Sequence, residues 1–358
     1  MKALTGVLMR IRTLAASLLV TASVALAACS PPGQSAQDSL VVYSNSINDG
    51  RGDWLTSAAS AAGFTITLVD IGGADLVNKV TAEKNNPVAD VAFGLNNVYF
   101  EKLRRSGALE PYTPAWSADV DAALGDREPD PAYWPIVREP IMLVYRTAAY
   151  PDPAQAPQDW PDLWTQPRFA QRYQVPQLLG GSTDQLVLAG ILARHLDPAG
   201  ELGVAPAGWE AVRQYFARGV QAVRGTDLYA RLKDGAVDAG AMWLAGKSAR
   251  DKQYGITTAA AHPAGGVPFA VQQVALVKGS KRTEPARRFV DWFGSGEVQA
   301  QWSQKFFTAP TNTKALAQAN AEAIAQTDSF RAQEIDWQVV GANIDRWIEK
   351  IQLEYMRG

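Results

Sequence analysis

The stretch Asn85–Asn97, NNPVADVAFGLNN, decides the fold. Pro87 ends any helix that reaches it, because it brings no N–H to a helix interior. Ala89-Asp90-Val91-Ala92-Phe93 then reads as a short buried strand. Gly94 permits a sharp turn, and Asn96 and Asn97 stand where a helix over Val98–Ser106 should begin. A strand that feeds a helix through a polar turn puts the turn at the carboxyl edge of an open α/β sheet, where ligands sit. Asparagines there also serve as helix caps, so the stretch alone supports either role.

Two earlier segments have the same grammar. Leu40–Tyr43 is a strand that ends in Ser44-Asn45-Ser46 and leads to a helix over Trp54–Ala62. Phe64–Ile71 is a second strand, and Gly72-Gly73 opens a helix over Ala74–Lys84. Strands separated by helices predict a parallel sheet with right-handed crossovers, which gathers all three turns on one edge. Helix N-termini at that edge offer unpaired N–H groups and the positive ends of helix dipoles.

The device returns in the second half. A strand near Gln174–Leu178 runs into Gly180-Gly181-Ser182-Thr183-Asp184 and a helix over Gln185–Arg194. Ile141–Tyr145, Ala239–Leu244 and Gln272–Val277 read as buried strands, and Glu110–Pro135 as loop with short helices. Helices are predicted over Ala207–Gly219, Asp227–Asp234, Glu284–Gly294, Glu297–Lys305 and Asp336–Arg357. In the last of these Trp337, Val340, Ile344, Trp347, Ile351 and Tyr355 form an apolar stripe at helical spacing.

The N-terminus reads as an export signal. Lys2, Arg10 and Arg12 precede the apolar run Leu14–Leu26, which is too short for a comfortable membrane span and ends at Leu26-Ala27-Ala28-Cys29. Met9 is an alternative start. Cys29 is the only cysteine in 358 residues, so neither an intramolecular disulfide nor a thiolate metal cluster is available to the chain. Leu-Ala-Ala-Cys resembles a bacterial lipobox, which implies removal of residues 1–28 and lipidation of Cys29. Residues 29–39, rich in Ser, Pro, Gly and Gln, suit a flexible tether. The whole chain has a formal charge of −2 from 34 basic and 36 acidic side chains. Residues 1–28 hold three basic and no acidic groups, so the remainder stands at −5, without the basic block a nucleic-acid partner requires.

Several local patterns carry a family resemblance. They are Leu76–Val80 with Glu83, Asn86-Pro87, Ala89-Asp90-Val91 and Gly94–Asn97, then Gly107-Ala-Leu-Glu-Pro, Trp160-Pro-Asp-Leu, Lys233-Asp-Gly-Ala-Val-Asp-Ala and Glu284-Pro-Ala-Arg-Arg-Phe-Val-Asp-Trp-Phe. From about residue 40 onward the chain resembles bacterial extracellular solute-binding proteins of ABC importers, in the group that binds thiamine, ferric ion, polyamines and aminoethylphosphonate. The resemblance implies an α/β, two-lobe, periplasmic-binding-protein-like (type II) fold with a cleft between lobes. Residues 40–143 and 272–358 would form lobe one and residues 144–271 lobe two, with crossover strands near Ile141–Tyr145 and Val274–Val277 as the hinge. It implies a small-molecule ligand, an ABC permease and its ATPase as partners, a lipid-anchored exported monomer and no cofactor. A membrane-tethered sensory or structural lipoprotein is the alternative class.

The candidate contacts are Ser44, Asn45, Gly73, Asn96 and Asn97 from lobe one, and Ser182, Thr183 and Trp243 from lobe two. Phe307, in Phe307-Thr308-Ala309-Pro310, falls where thiamine binders stack an aromatic ring. Two departures weigh against thiamine: Asn96 replaces an acidic residue of those proteins, and Asn45-Ser46 replaces their Tyr-Asp. A phosphonate or phosphate ester therefore stands beside a thiamine-like ligand. The tyrosine pair of ferric binders is replaced by Ala241-Met242-Trp243-Leu244, and Fe(III) favours oxygen anions. No Gly-x-Ser-x-Gly, His-Glu-x-x-His or phosphate-loop motif occurs, and His195 and His262 lie apart from any evident nucleophile, so catalysis is not expected.

If Cys29 carries the anchor, Cys29→Ser yields a soluble or unprocessed protein, because acyl chains hold a membrane at about 0.8 kcal/mol per buried CH₂. Membrane fractionation after a high-salt wash checks this; undiminished retention of the variant counts against the anchor.

Overall fold

Three β–α units begin the described chain: β1 (Leu40–Ser44), α1 (Arg51–Ala61), β2 (Ile66–Asp70), α2 (Gly73–Ala82), β3 (Val91–Asn96) and α3 (Asn97–Arg105). The structure is a computed structural model and describes residues 39–356. The expected signal segment 1–28, Cys29, and the tether 29–39 except for Ser39 lie outside the described residues. β1 pairs in parallel with both β2 and β3, as the three-unit pattern predicts. On α2, Leu76, Val77 and Val80 turn one face to the sheet; on α3, Val98, Tyr99, Phe100 and Leu103 do the same.

After the short β4 (Leu109–Glu110), β5 (Trp134–Arg146) runs for 13 residues and carries the chain into lobe two. That lobe contains α4 (Asp162–Thr165), β6 (Gln174–Val175), α5 (Ser182–Ala193), β7 (Leu196–Glu201), α6 (Pro206–Arg218), β8 (Val220–Gln221), α7 (Leu228–Lys233), β9 (Ala239–Trp243), α8 (Leu244–Tyr254) and β10 (Thr258–Ala260). β11 (Phe269–Val277) brings the chain back, and α9 (Thr283–Gly294), α10 (Gly296–Phe306), β12 (Ala309–Pro310), α11 (Ala321–Asp328) and α12 (Trp337–Glu354) follow. The two lobes form an α/β fold with a cleft between them.

β5 changes partners halfway. Trp134–Pro140 pairs antiparallel with β11, whereas Ile141–Tyr145 pairs antiparallel with β9. Pro140 has no N–H to give a ladder, which suits a position where one ladder gives way to the next. Just beyond it the Ile141 N–H donates to Pro268 O at 2.8 Å. The crossing therefore falls at Pro140–Ile141 and Pro268–Phe269. Val274–Val277, expected near the hinge, instead pairs with β3 and β4 inside lobe one. The expected lobe boundaries at 143/144 and 271/272 lie within the two crossover strands. α12 also spans both lobes. Its Val340, Ile344, Trp347 and Ile351 join the lobe-two core, while Lys102 of α3 pairs with Asp345.

The deciding stretch differs from expectation at one point. The strand does not stop at Phe93 but continues through Asn96, with Gly94 at φ +81°. Opposite, the register with β11 slips between Gln272 and Val274, so Gly94 sits in a bulge rather than a free turn.

Asp90 fixes this region. It is 2 % exposed, and its carboxylate accepts from the Val41 N–H at 2.8 Å and the Ser280 hydroxyl at 2.6 Å, with Arg282 at 3.4 Å. Replacing Asp90 by Ala takes the acceptor from the Val41 N–H and the Ser280 hydroxyl. A loss of about 3 kcal/mol is expected, read as a lower urea midpoint with an unchanged m-value.

Candidate functional site

A cavity of about 320 Å³ lies in the cleft. Lobe one contributes Asn45, Ser46, Asn48, Arg51, Gly72, Gly73, Gly94 and Asn96; the crossover strands contribute Glu139, Ile141, Ala270 and Gln272; lobe two contributes Gly180, Gly181, Ser182, Thr183 and Trp243. A larger groove of about 890 Å³ runs along α10 beside Trp54, Gln301 and Lys314, but it is a shallow, open surface feature. The cleft cavity is the smaller and the more informative, since both lobes and the crossover build it.

Helix starts define its walls. Neither Gly72 before α2 nor Gly181 before α5 supplies a capping side chain, so first-turn N–H groups of both helices remain available at the cavity. Gly73 is required for a close approach: a Cβ there would meet the Tyr99 ring at 2.4 Å. The Ser46 hydroxyl donates to Gly94 O at 2.8 Å and joins the turns after β1 and β3. Arg51 opens α1, is 7 % exposed, contacts Asp49 at 3.6 Å and lies 5.4 Å from the Phe306 ring centroid.

Asn96 acts on both lobes. Its Oδ1 accepts from the Tyr99 N–H at 3.2 Å and caps α3, while its Nδ2 donates to the Ser182 hydroxyl at 2.7 Å. Ser182 is thus engaged across the cleft and does not cap α5. Trp243 is half-buried at the start of α8, and the Arg250 guanidinium lies 5.0 Å from its ring centroid. Arg250 is held by Asp227 at 2.8 Å and reaches Asp49 of lobe one at 3.8 Å.

Asn45, Gly73, Asn96, Ser182, Thr183 and Trp243 thus meet at one cavity; Ser44, Asn97 and Phe307 do not line it. Ser44 is fully buried and its Oγ accepts from the Ser46 N–H at 3.0 Å, which makes it support for the turn. Asn97 lines a separate cavity of about 260 Å³ with Glu101, Tyr133 and Trp337. Phe307 ends α10 in a left-handed conformation, φ 55°, and packs against the cluster around Met142, Val144 and Tyr229. Arg51, Glu139 and Gln272 were not singled out from the sequence. Asp49-Gly50 before Arg51 was the one available signal, since it marks a turn that delivers a helix start.

The architecture and the cleft define a two-lobe solute binder. Residues 54–330 match the family model described as bacterial extracellular solute-binding protein, and the chain belongs to that family. The probable ABC transporter periplasmic-binding protein y4fP of Sinorhizobium fredii is 33% identical over 335 residues, 93% of this chain and 90% of that protein. Many solved structures share the fold, two binding proteins among them. AfuA of Actinobacillus pleuropneumoniae, with fructose-6-phosphate bound, has a TM-score of 0.74 at 18% identity, covering 89% of this chain and 99% of that one. A ferric binding protein from Campylobacter jejuni has a TM-score of 0.73 at 16% identity, covering 88% and 99%.

One titratable group in the α5 first turn has a consequence for pH. Asp184 is half-buried as a residue, but its carboxyl is packed deeply enough that burial pushes its pKa from 3.8 up to about 7. The folded state then holds this proton where the unfolded chain has released it. Stability contributed by the neutral form is full below about pH 4 and is lost as pH rises towards 7. Wild-type Tm should fall between pH 5 and 8 relative to Asp184→Asn, measured in parallel thermal melts. Parallel pH curves for the two proteins contradict the assignment.

Proposed function

We propose that this chain is the substrate-binding component of an ABC importer and captures a small oxyanion, a phosphate or phosphonate ester, by closing its cleft. The observation that carries the reading is the convergence on one cavity of Arg51 and two helix starts without side-chain caps, Gly72–Gly73 and Gly181–Ser182. Such starts donate N–H groups to anions, and Arg adds charge-assisted hydrogen bonds. The periplasmic-binding name of the 33% identical relative supports the importer role. The sugar phosphate in AfuA is a ligand of the proposed class on the same fold.

Within this reading the protein is exported, held to the membrane through Cys29, works as a monomer and hands its solute to a permease driven by an ATPase. Closure follows from a ligand that bridges lobes joined by β5 and β11, so that only the loaded protein favours the closed state.

A thiamine-like cation is the second reading. It draws on the Trp243 ring and the Glu139 carboxylate, while Phe307 lies outside the cavity. Iron has less support: the lining contains one carboxylate, Glu139, and no tyrosine, a donor set poor in oxygen anions. Catalysis has little to rest on, because neither histidine lines the cavity. His195 packs beside Gly208, and burial together with Arg194 lowers its pKa; His262 stacks on Phe330 at 4.2 Å.

Calorimetric titration with glycerol 3-phosphate and with thiamine separates the two readings. The phosphate ester should bind, and a hundredfold excess over Kd should add about 2.7 kcal/mol of stability. Ser182→Ala combined with Thr183→Ala should weaken that binding about tenfold or more, while apo Tm falls only by what loss of the Asn96–Ser182 bond, roughly 1 kcal/mol, accounts for. Binding of thiamine alone transfers the assignment to the cation, and an unchanged Kd in the double variant moves the lobe-two contacts to Trp243.

A further inference from the structure

Glu139 lies on the floor of the cleft, on β5 one residue before the change of partners, and is 3 % exposed. A carboxylate is the wrong sign for a pocket that receives an anion. Its partners leave it acceptor capacity: Oε1 accepts from the Ala245 N–H at 3.3 Å and Oε2 from the Gln272 amide at 2.9 Å. A carboxylate has about four lone-pair positions, so two such bonds do not exhaust it. Arg51 lines the same cavity and lies near enough to act on the Glu139 charge, yet the two are not in ion-pair contact; Arg51 contacts Asp49 instead. The cleft thus presents an acidic and a basic group that do not neutralise each other directly.

We propose that Glu139 accepts a hydrogen bond from a donor on the solute, an ammonium or a hydroxyl a few bonds from the oxyanion. The cleft then selects donor-bearing phosphate esters over simple ones. This rests on the oxyanion reading and narrows it. The oxyanion takes Arg51 and the helix starts, while the donor compensates the carboxylate that would otherwise repel the ligand. Burial pushes the Glu139 carboxyl up, and Arg51, the Ala245 N–H and the Gln272 amide hold it down, so a ligand donor adds to the forces that favour its charged form. Glu139 also has a structural role. Trp243, the residue before α8, has no capping side chain, and the Glu139 carboxylate serves the Ala245 N–H from across the crossover.

The test must separate donor recognition from capping. Wild type and Glu139→Gln are titrated calorimetrically with ethyl phosphate, O-phosphoethanolamine and glycerol 3-phosphate. Wild type should bind at least one donor-bearing ester about tenfold or more tightly than ethyl phosphate, and the amine and hydroxyl arms show which donor is read. In Glu139→Gln that margin should collapse while ethyl phosphate binds more tightly, because a negative charge has left the floor. Equal wild-type affinities for all three esters overturn the proposal and leave the oxyanion reading standing. So does a Glu139→Gln variant that weakens all three alike with a lowered apo Tm, the signature of a cap alone. Binding of none of the three removes the oxyanion reading, and this inference with it. If the variant does not fold, the wild-type comparison decides.

Discussion

The buried carboxylate of Asp90 accepts from Val41 and Ser280, and its backbone pairs with Val41 O and with the Val277 N–H. One residue thereby locks β1, β3 and β11 side by side. A strand that slips by one residue turns every side chain to the other face, so a register held this firmly is what makes the cleft reproducible. Four residues after Asp90, the Gly94 bulge in β3 adds twist and aims Asn96 at lobe two. The aromatic packing beneath depends on the same register: Phe93 meets Phe293 edge-on at 4.6 Å and Trp302 at 6.0 Å.

The lobes are joined by two strands and by a few weak ties. Asn96 to Ser182 is a neutral hydrogen bond of roughly 1 kcal/mol, and Arg250 to Asp49 is a partly exposed ion pair of roughly 0–1 kcal/mol. To move a two-state protein from one extreme population to the other takes about 5.5 kcal/mol of differential affinity. Ties of this size do not lock the lobes together, and in the proposed closure a bridging ligand supplies most of the bias. α12 adds a different constraint. Its apolar stripe is committed to the lobe-two core while its polar flank touches α3, so relative motion is confined to directions that keep that helix seated.

Most of the architecture was legible because it is periodic. The parallel β1–β2–β3 arrangement, α5 after its glycine pair, and the α12 stripe all follow from local apolar spacing. Phe307, Asn97 and Ser44 were misplaced for a common reason: sequence locates a residue at the end of an element but not the direction of its side chain. Asn96 and Asn97 are adjacent, yet one faces the cleft and the other a separate cavity, because strand gives way to helix between them. Glu139 was illegible in principle. It lies in Val-Arg-Glu-Pro within a long strand, and its importance comes from the partner change next door, which only the pairing of β5 with β11 and β9 reveals. Arg51 lies ahead of the helix expected over Trp54–Ala62, and its place in the site shows only when the fold brings Phe306 and Glu139, each more than 80 positions away, near it.

The excess of acidic groups on the chain does not oppose the proposed oxyanion ligand, and the reason is range. At physiological salt, charges separated by more than about 8 Å in solvent are largely screened, so the scattered carboxylates of the surface act weakly at the cleft. Within the cavity the donors are close, partly desolvated and already oriented. Arg51 is 7 % exposed, and the starts of α2 and α5 keep their N–H groups in place through backbone geometry, with no side-chain entropy to lose. Glu139 is subject to the same short-range rule, so in the proposed selection one buried carboxylate counts for more than the net charge of the whole protein.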